Sequence, residues 1–344
     1  MSGLDRDKYA PLAAFSKDGP LAERLPAEGI PSFVLKKRGF LGFGLLWEAL
    51  RLLKDEKVDL VHLNSAVPFC RYIGAAAKIK NIPVIWHIRE DPEGKRVKAL
   101  KRWISLLSDR IFVVSSDLET YFKDTGKALK IYNGVDNERF RPGMDGSAFR
   151  ARYGIPRDAF VFGMVGSIEK RKGNISFLEA ARSVSNINKK SWFVIVGTGL
   201  ESDVNEVEAF IKENELDGRV VLTGRLSDIP EAMAGMDVLV MPSLWEGFPR
   251  ALIEAMASGK PSIASDVGEV GHILEDGRSG YVIPKGDNEA LAKAMASCLI
   301  NKNGLTGMGH AARDKAEQFT LTSHVETVQS EYEALLSREK RDTA

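Results

Sequence analysis

Short apolar runs alternate with longer amphipathic stretches along almost the whole chain. In the first half the runs cover 9–15, 31–35, 58–62, 83–87, 111–114 and 130–132. In the second half they cover 160–166, 192–197, 219–223, 237–241, 262–265 and 280–283. Most are short and rich in Val and Ile, with little polar alternation. That pattern predicts strands of a parallel sheet covered on both faces. Between them, 44–54, 73–80, 177–184, 204–213, 249–258 and 288–300 are long enough for crossover helices. The βαβ rhythm predicts an α/β fold with doubly wound sheets.

The rhythm breaks once. Asn133-Gly134, Pro142-Gly143 and Asp145-Gly146 crowd into 133–146, as in a linker. The expected domains are therefore 1–143 and 144–324, and 344 residues suit two cores of ordinary size. Val325, Val328, Tyr332, Leu335 and Leu336 recur at helical spacing near the end. They predict a last helix, about 325–342, packing back on one of the two domains. Open parallel sheets bind ligands beyond the carboxyl ends of their strands. Two such domains facing each other would enclose a cleft, with the informative residues just after strands.

Composition narrows the class. Hydrophobic residues make up 44% and charged residues 28%, as in a soluble globular protein. A net charge of +1 gives no bulk field for nucleic acid, so no nucleic-acid partner is expected. Cys70 and Cys298 lie far apart, which argues against a disulfide framework and for buried thiols in a reducing cytoplasm. No apolar run approaches the roughly 20 residues that span a bilayer. The polar opening MSGLDRDKYA is not a signal peptide.

Three strand ends carry candidate chemistry. After 160–166 comes SIEKRKGN, with Lys170, Arg171 and Lys172 before Gly173 and a helix from about Ser176. Cations beside a helix N-terminus make an anion site, and Lys172 is the choice for a phosphate. A solvated basic turn is the competing reading. After 192–197, Gly197 and Gly199 begin a dinucleotide fingerprint that fails at Ser202, so a nicotinamide enzyme is poorly supported. A loop that lets backbone approach a ligand and a mere tight turn both remain. After 237–241 comes SLWEGFPRALIE, with Glu246 before and Glu254 after the Gly247-Phe248-Pro249 turn. Pro249 suits the first helical position, and the helix amides would meet a diphosphate or a sugar hydroxyl. Ile253, Met256 and Ala257 make the buried stripe, with Glu254 at its edge. Glu254 would hold a ribose diol and Glu246 a second sugar. Acids that merely favour a helix N-terminus are the alternative. In the first half, His62 and His87 each end a strand. No Cys or His spacing supports a metal.

Taken in order, VDLVHLNS, VIWHIRE, VSS, YNGVD, RKG, GRLSDIPEAMAGMDVLVMPS, EGFPRALIE and ASDVGEVGHILEDGRSGYVIP resemble the retaining glycosyltransferases of family 4. The set runs from about residue 59 to 285, and EGFPRALIE fits that family's E-x7-E motif. The resemblance implies a GT-B fold, two Rossmann-like domains with the nucleotide sugar held mainly by the second. It implies donor-sugar contacts for Glu246 and His87, ribose contact for Glu254 and diphosphate contact for Lys172. Gly166, Ser167, Arg171, Gly197, Gly247, Phe248 and Pro249 complete the expected donor site. The last helix is expected to return to the first domain.

Two departures stand out. The family commonly has Gly-Arg after the first strand of its second domain, whereas Gly166-Ser167 stands here. Arg171 or Lys170 is left to replace that cation. Family members also usually open with a strand, a Gly-rich loop and a helix before a segment like 4–30. A first domain lacking its first strand-loop-helix, some 25–30 residues by the usual size of such units, is therefore expected.

The expected reaction moves a sugar from a nucleoside diphosphate sugar, with UDP or GDP as nucleotide, to an acceptor hydroxyl with retention. Cell-envelope polysaccharide or glycolipid synthesis is the expected setting, with a sugar or lipid-linked acceptor and no cofactor or metal. A GT-B nucleotide-sugar epimerase and a truncated, inactive nucleotide-sugar binder are the alternatives. The segment 34–57 mixes basic residues with Phe40, Phe43, Leu45, Leu46 and Trp47, a composition that can lie on anionic lipid. A buried crossover helix with a Leu46, Leu50, Leu53 stripe is the competing reading. The expected location is cytoplasmic, with peripheral contact at the inner face of the membrane as the variant.

Overall fold

A computed structural model describes residues 3–35, 43–89 and 94–342. The chain divides into two units: residues up to Tyr132 together with those from Thr322 on, and Asn133–Leu321. The division falls at Tyr132/Asn133 rather than near 143, because the turn-rich stretch is fastened along the second unit. Asn133 Nδ2 donates to Phe248 O at 3.2 Å. Val135 exchanges backbone hydrogen bonds with Phe319 and Leu321, each at 2.8 Å.

In the first unit, β1 (Ala13–Phe15) and β2 (Ser32–Val34) form one parallel pair. A second parallel sheet runs in the order β3 (Val61–Leu63), β4 (Val84–Ile88), β5 (Arg110–Val113) and β6 (Ala128–Lys130). Among the described residues these two sheets are separate. The strand expected at 130–132 lies slightly earlier, at β6. Every residue of β4 is buried, which is why its run lacks polar alternation. The helix Phe43–Asp55 buries Leu45, Ala49 and Leu53. Leu46 and Leu50 are only half-buried, so the stripe expected on Leu46, Leu50 and Leu53 is rotated. Phe43 and Trp47 are exposed, and Phe40 lies outside the described residues. The last helix, Leu321–Asp342, packs Val328, Tyr332 and Leu335 on Ile85, Phe112 and Ile131.

The second unit carries six parallel strands: β7 (Phe160–Val165), β8 (Ser191–Val196), β9 (Val220–Gly224), β10 (Val238–Met241), β11 (Ser262–Ser265) and β12 (Gly280–Ile283). Their order is β12-β11-β10-β7-β8-β9. Phe162 stacks on Phe193 at 5.9 Å, and Phe177 meets Phe193 edge-on at 6.0 Å in the core. From β7 the chain builds outward through β8 and β9, then returns to β10 on the other side of β7. The winding direction reverses there, and a crevice opens beyond the carboxyl ends of β7 and β10.

Cys70 and Cys298 are both buried. Burial pushes the Cys298 thiol up to about 12, so it is an inert filler. Among the described residues no helix is long and apolar enough to cross a membrane.

Candidate active site

The crevice between β7 and β10 holds a cavity of about 290 Å³. Gly166 reaches it from the end of β7, Ser243 and Glu246 from the loop after β10, and Pro249, Arg250 and Glu254 from the helix that follows. Lys172 enters from the turn after β7.

Local geometry selects Lys172 from its basic run. Lys170–Lys172 form one 3-10 turn that stops at Gly173 with φ 73°. A Cβ on Gly173 would lie 2.2 Å from Pro242 O, so only glycine lets this turn close on the loop after β10. Lys172 Nζ then sits 2.6 Å from Glu246 Oε1, and Ser243 Oγ donates to the same oxygen at 2.8 Å. The Glu246 side chain is only 7% exposed. The cation and the hydroxyl together satisfy that enclosed oxygen.

Arg171 takes a different path. Its guanidinium pairs with Glu169 at 2.7 Å and lies over the Trp245 ring, 5.9 Å from the centroid. Ser167 Oγ also donates to Glu169. Neither side chain lines the cavity.

Pro249 stands at the N-cap of the helix Arg250–Ala257, one residue before the position expected for it. Pro249, Arg250 and Ala251 line the cavity, so the amide end of the helix is at the site. Leu252, Ile253, Ala255, Met256 and Ala257 are buried, and Glu254 stands at the edge of that stripe. Its side chain is 12% exposed and accepts from Arg250 Nη2 at 3.2 Å. Burial raises the Glu254 pKa, and the Arg250 charge and hydrogen bond oppose that rise.

Phe248 is a buried anchor, edge-on to Phe319 at 5.3 Å, and Gly247 O accepts from Glu269 N at 3.1 Å. Gly197 belongs to the sheet ends. A Cβ there would lie 1.7 Å from Gly166 O, so its glycine serves the close approach of the β7 and β8 termini. The cavity thus gathers Lys172, Glu246, Glu254, Gly166 and Pro249. Ser167, Arg171, Gly197, Gly247 and Phe248 stay outside its lining.

His87 belongs to the first unit. It is buried on β4, with its ring 5.5 Å from that of His62 and stacked on it. Phe112 meets both rings edge-on at 5.6 Å. Arg89 Nη2 approaches His87 Nδ1 at 3.3 Å. A guanidinium only donates, so Nδ1 accepts and the neutral ring carries its proton on Nε2. Among the described residues that Nε2 is buried without a protein partner, as is Nε2 of His62. His62 Nδ1 lies 2.6 Å from the Tyr332 hydroxyl. Burial first, and the Arg89 charge second, push the His87 pKa far down and that of His62 down to about 3.

Residues 145–315 match the family described as Glycosyl transferases group 1, and residues 8–139 match Glycosyltransferase Family 4. An Escherichia coli protein, UDP-Gal:alpha-D-GlcNAc-diphosphoundecaprenol alpha-1,3-galactosyltransferase, is 30% identical over 302 residues. That alignment covers 82% of this chain and 77% of the relative. The chain belongs to glycosyltransferase family 4. The N-acetyl-alpha-D-glucosaminyl L-malate synthase of Bacillus anthracis is 26% identical over 83% of this chain and 76% of its own. The crystal structure of Anabaena HepE in complex with UDP-glucose superposes with a TM-score of 0.86 at 23% identity, covering 94% of this chain and 91% of that one. This family-4 chain therefore has the GT-B fold.

Sequence reasoning missed three parts of this family-4 site. Ser243 sits three residues before Glu246 in the same loop, a spacing that allows its hydrogen bond to Glu246. Arg250 reads in the sequence only as part of a helix start, yet it lines the same cavity as Lys172. Gly268 has φ 55°, and a Cβ there would lie 2.0 Å from Glu246 O. It lets the loop after β11 close against the backbone that carries Glu246. Among the described residues no group of three His, Cys, Asp or Glu side chains is arranged to hold a metal ion.

Proposed function

We propose that the cavity of the second unit binds a UDP-sugar, and that the enzyme transfers the sugar with retention to a hydroxyl of a lipid-linked saccharide. One observation carries the reading. Two cations, two carboxylates and a helix N-terminus converge on one cavity at the β7/β10 switch point. A nucleoside diphosphate sugar presents that chemistry in sequence: ribose diol, diphosphate, sugar hydroxyls. The names of relatives support the choice of nucleotide and acceptor. The Escherichia coli relative is named for UDP-Gal and a diphosphoundecaprenol acceptor, and HepE was crystallised with UDP-glucose.

In this reading Lys172 and the backbone amides of Arg250 and Ala251 hold the diphosphate. Arg250 supplies the second cation, in place of the arginine that Ser167 replaces. Arg171 is occupied by Glu169 and Trp245, whereas Arg250 reaches the cavity with a side chain 70% exposed. Glu254 accepts from the ribose diol. Glu246, oriented by Lys172 and Ser243, accepts from the donor sugar. The role expected for His87 stays in the proposal: its Nε2–H is a buried donor that a sugar hydroxyl would satisfy.

The bond from the anomeric carbon to the diphosphate oxygen breaks as the acceptor oxygen bonds to the same face of that carbon. The acceptor proton passes to the departing phosphate oxygen. Charge grows on the diphosphate, where Lys172 and Arg250 stand preorganised, and donors of this kind often supply the largest part of catalysis. Incubation with UDP-, GDP- and ADP-sugars and a lipid-linked saccharide, followed by NMR of the product's anomeric configuration, tests the reading. The expected product retains the donor's configuration and forms from a UDP-sugar. An inverted product, or epimerised donor without transfer, refutes it.

A further inference from the structure

His62, Ile85, His87 and Phe112 share one face of the first unit's four-stranded sheet. In register His62 stands opposite Ile85, and His87 opposite Phe112. Residues opposite each other, and residues two apart on one strand, point to the same side. The last helix covers that face with Val328, Tyr332 and Leu335. His87 is the nearer of the two histidines to the carboxyl ends of the strands, where parallel sheets bind ligands. His62 lies one pleat behind it, and its ring backs that of His87 in the stacked pair.

The two rings are fixed by different means. His87 Nδ1 accepts from Arg89. His62 Nδ1 meets the Tyr332 hydroxyl at 2.6 Å, with the two rings edge-on at 5.8 Å. Burial raises the Tyr332 pKa, so the hydroxyl keeps its proton. Among the described residues that hydroxyl has no other hydrogen-bond partner, so its proton goes to His62 Nδ1. Neutral His62 then carries its own proton on Nε2, as His87 does.

Tyr332 is itself locked in place. Tyr9 meets its ring edge-on at 5.8 Å and donates its own hydroxyl to Gln329 O at 3.4 Å. Arg110 Nε pairs with Glu331 at 3.0 Å and ties the helix to β5. These ties remain when the Tyr332 hydroxyl is removed. Y332F therefore deletes one hydrogen bond and keeps the ring, leaving His62 Nδ1 without its donor.

We propose that Tyr332 and His62 are positioning residues for His87. The Tyr332 hydroxyl fixes the tautomer and plane of His62, and the His62 ring, stacked on His87, sets the direction of the His87 Nε2–H. The inference rests on the sugar contact proposed for His87 and adds the residues that aim it. A misplacement of about 1 Å at a reacting centre can cost roughly 100-fold in rate. A loosened His62 shifts His87 by less, so a loss of roughly tenfold in kcat is expected for Y332F.

Wild type, Y332F, H62Q, H87Q and Y332F/H87Q are compared as full chains for transfer from a UDP-sugar to a lipid-linked saccharide, and for UDP affinity by calorimetry. UDP affinity should be the same in all five, since UDP carries no sugar. Y332F should lower kcat roughly tenfold in the wild-type background, and H62Q should reproduce that loss. In the H87Q background Y332F should change kcat by less than about twofold, because there is no ring left to aim. A merely structural role would cost activity in both backgrounds. Nitrogen-15 NMR should place the His62 proton on Nε2 in the wild type and show it shared between the two nitrogens in Y332F. Unchanged kcat in Y332F beside an impaired H87Q overturns the inference and leaves the donor reading standing. An equal loss in both backgrounds, or a proton on Nδ1 of wild-type His62, does the same. Unchanged kcat in H87Q refutes the sugar contact of His87, and the inference falls with it.

Discussion

Lys172 Nζ and Glu246 Oε1 are 2.6 Å apart in a recess that also holds Ser243, Arg250 and Glu254. The cation assigned to the diphosphate is thus held in place by the carboxylate assigned to the sugar. Each member orients the other before any ligand arrives. Preorganisation of this kind lowers the barrier without a reorganisation step at the moment of reaction.

Removing the cation should therefore separate stability from catalysis. K172M is expected to lower turnover roughly 100-fold, as loss of one preorganised donor does. It also leaves the Glu246 carboxylate buried without its cation, so the melting temperature should fall. K172M/E246Q should regain the melting temperature but not the turnover. Parallel melts and transfer assays check both, and recovery of turnover in the double variant would contradict the assignment.

Arg250 gives a second, independent test. Its pairing with Glu254 is an (i,i+4) contact with a mostly exposed guanidinium, so R250A should change stability by no more than about 0.5 kcal/mol. Its diphosphate contact would be charge-assisted, and loss of such a contact weakens binding roughly tenfold or more. Calorimetry with UDP and with uridine distinguishes the two effects. UDP affinity should fall in R250A while uridine affinity is kept.

Glu254 predicts a pH dependence. Burial raises its pKa above the ordinary 4.5. The ribose diol needs the ionised form as acceptor, so donor affinity should fall with decreasing pH from a point above 4.5. R250A should move that point upward, since Arg250 opposes the rise. For the fold the sign is reversed. A carboxyl with a raised pKa costs stability as pH climbs through and above 4.5, so E254Q should be more stable than wild type at neutral pH while binding donor more weakly. Titrations with a UDP-sugar check this, since the terminal phosphate of UDP itself titrates near ~6.

His62 and His87 govern the acid side of stability. Both are held neutral in the fold, His62 down to about 3. The unfolded chain takes up protons near 6.5, so their contribution is present above that pH and is lost as pH falls toward 3. Each should add to the slope of stability against pH over that range. Denaturant midpoints from pH 7 to 5 should fall with this slope and flatten in H62Q. NMR should show neither ring titrating between pH 5 and 8.

Much of the fold was legible because its strands are short, β-branched and buried on both faces. β4 and β7 show this most plainly. The end of the first unit was less legible. Asn133-Gly134 and Pro142-Gly143 read as a linker, but hydrogen bonds from Asn133 and Val135 to residues far along the chain bind that stretch to the second unit. Within the site, Lys172 and Arg171 are neighbours of one charge type, and only the turn at Gly173 separates their directions. Arg250 reads as a solvated helix residue until the loop after β10 brings it to the cavity that Lys172 lines. Gly268 carries no local signal, since its need for glycine arises from the carbonyl of Glu246 across the fold.

The central claim is that Lys172 and Arg250 hold the diphosphate of a UDP-sugar in the cavity at β7 and β10. Calorimetric titration of UDP-galactose into wild type and K172M/R250A tests it most directly. Saturable one-site binding to the wild type, lost by roughly 100-fold or more in the double variant, is the predicted result, each charge-assisted contact being worth roughly tenfold. Equal affinity in the two proteins, or no binding to the wild type, would contradict it.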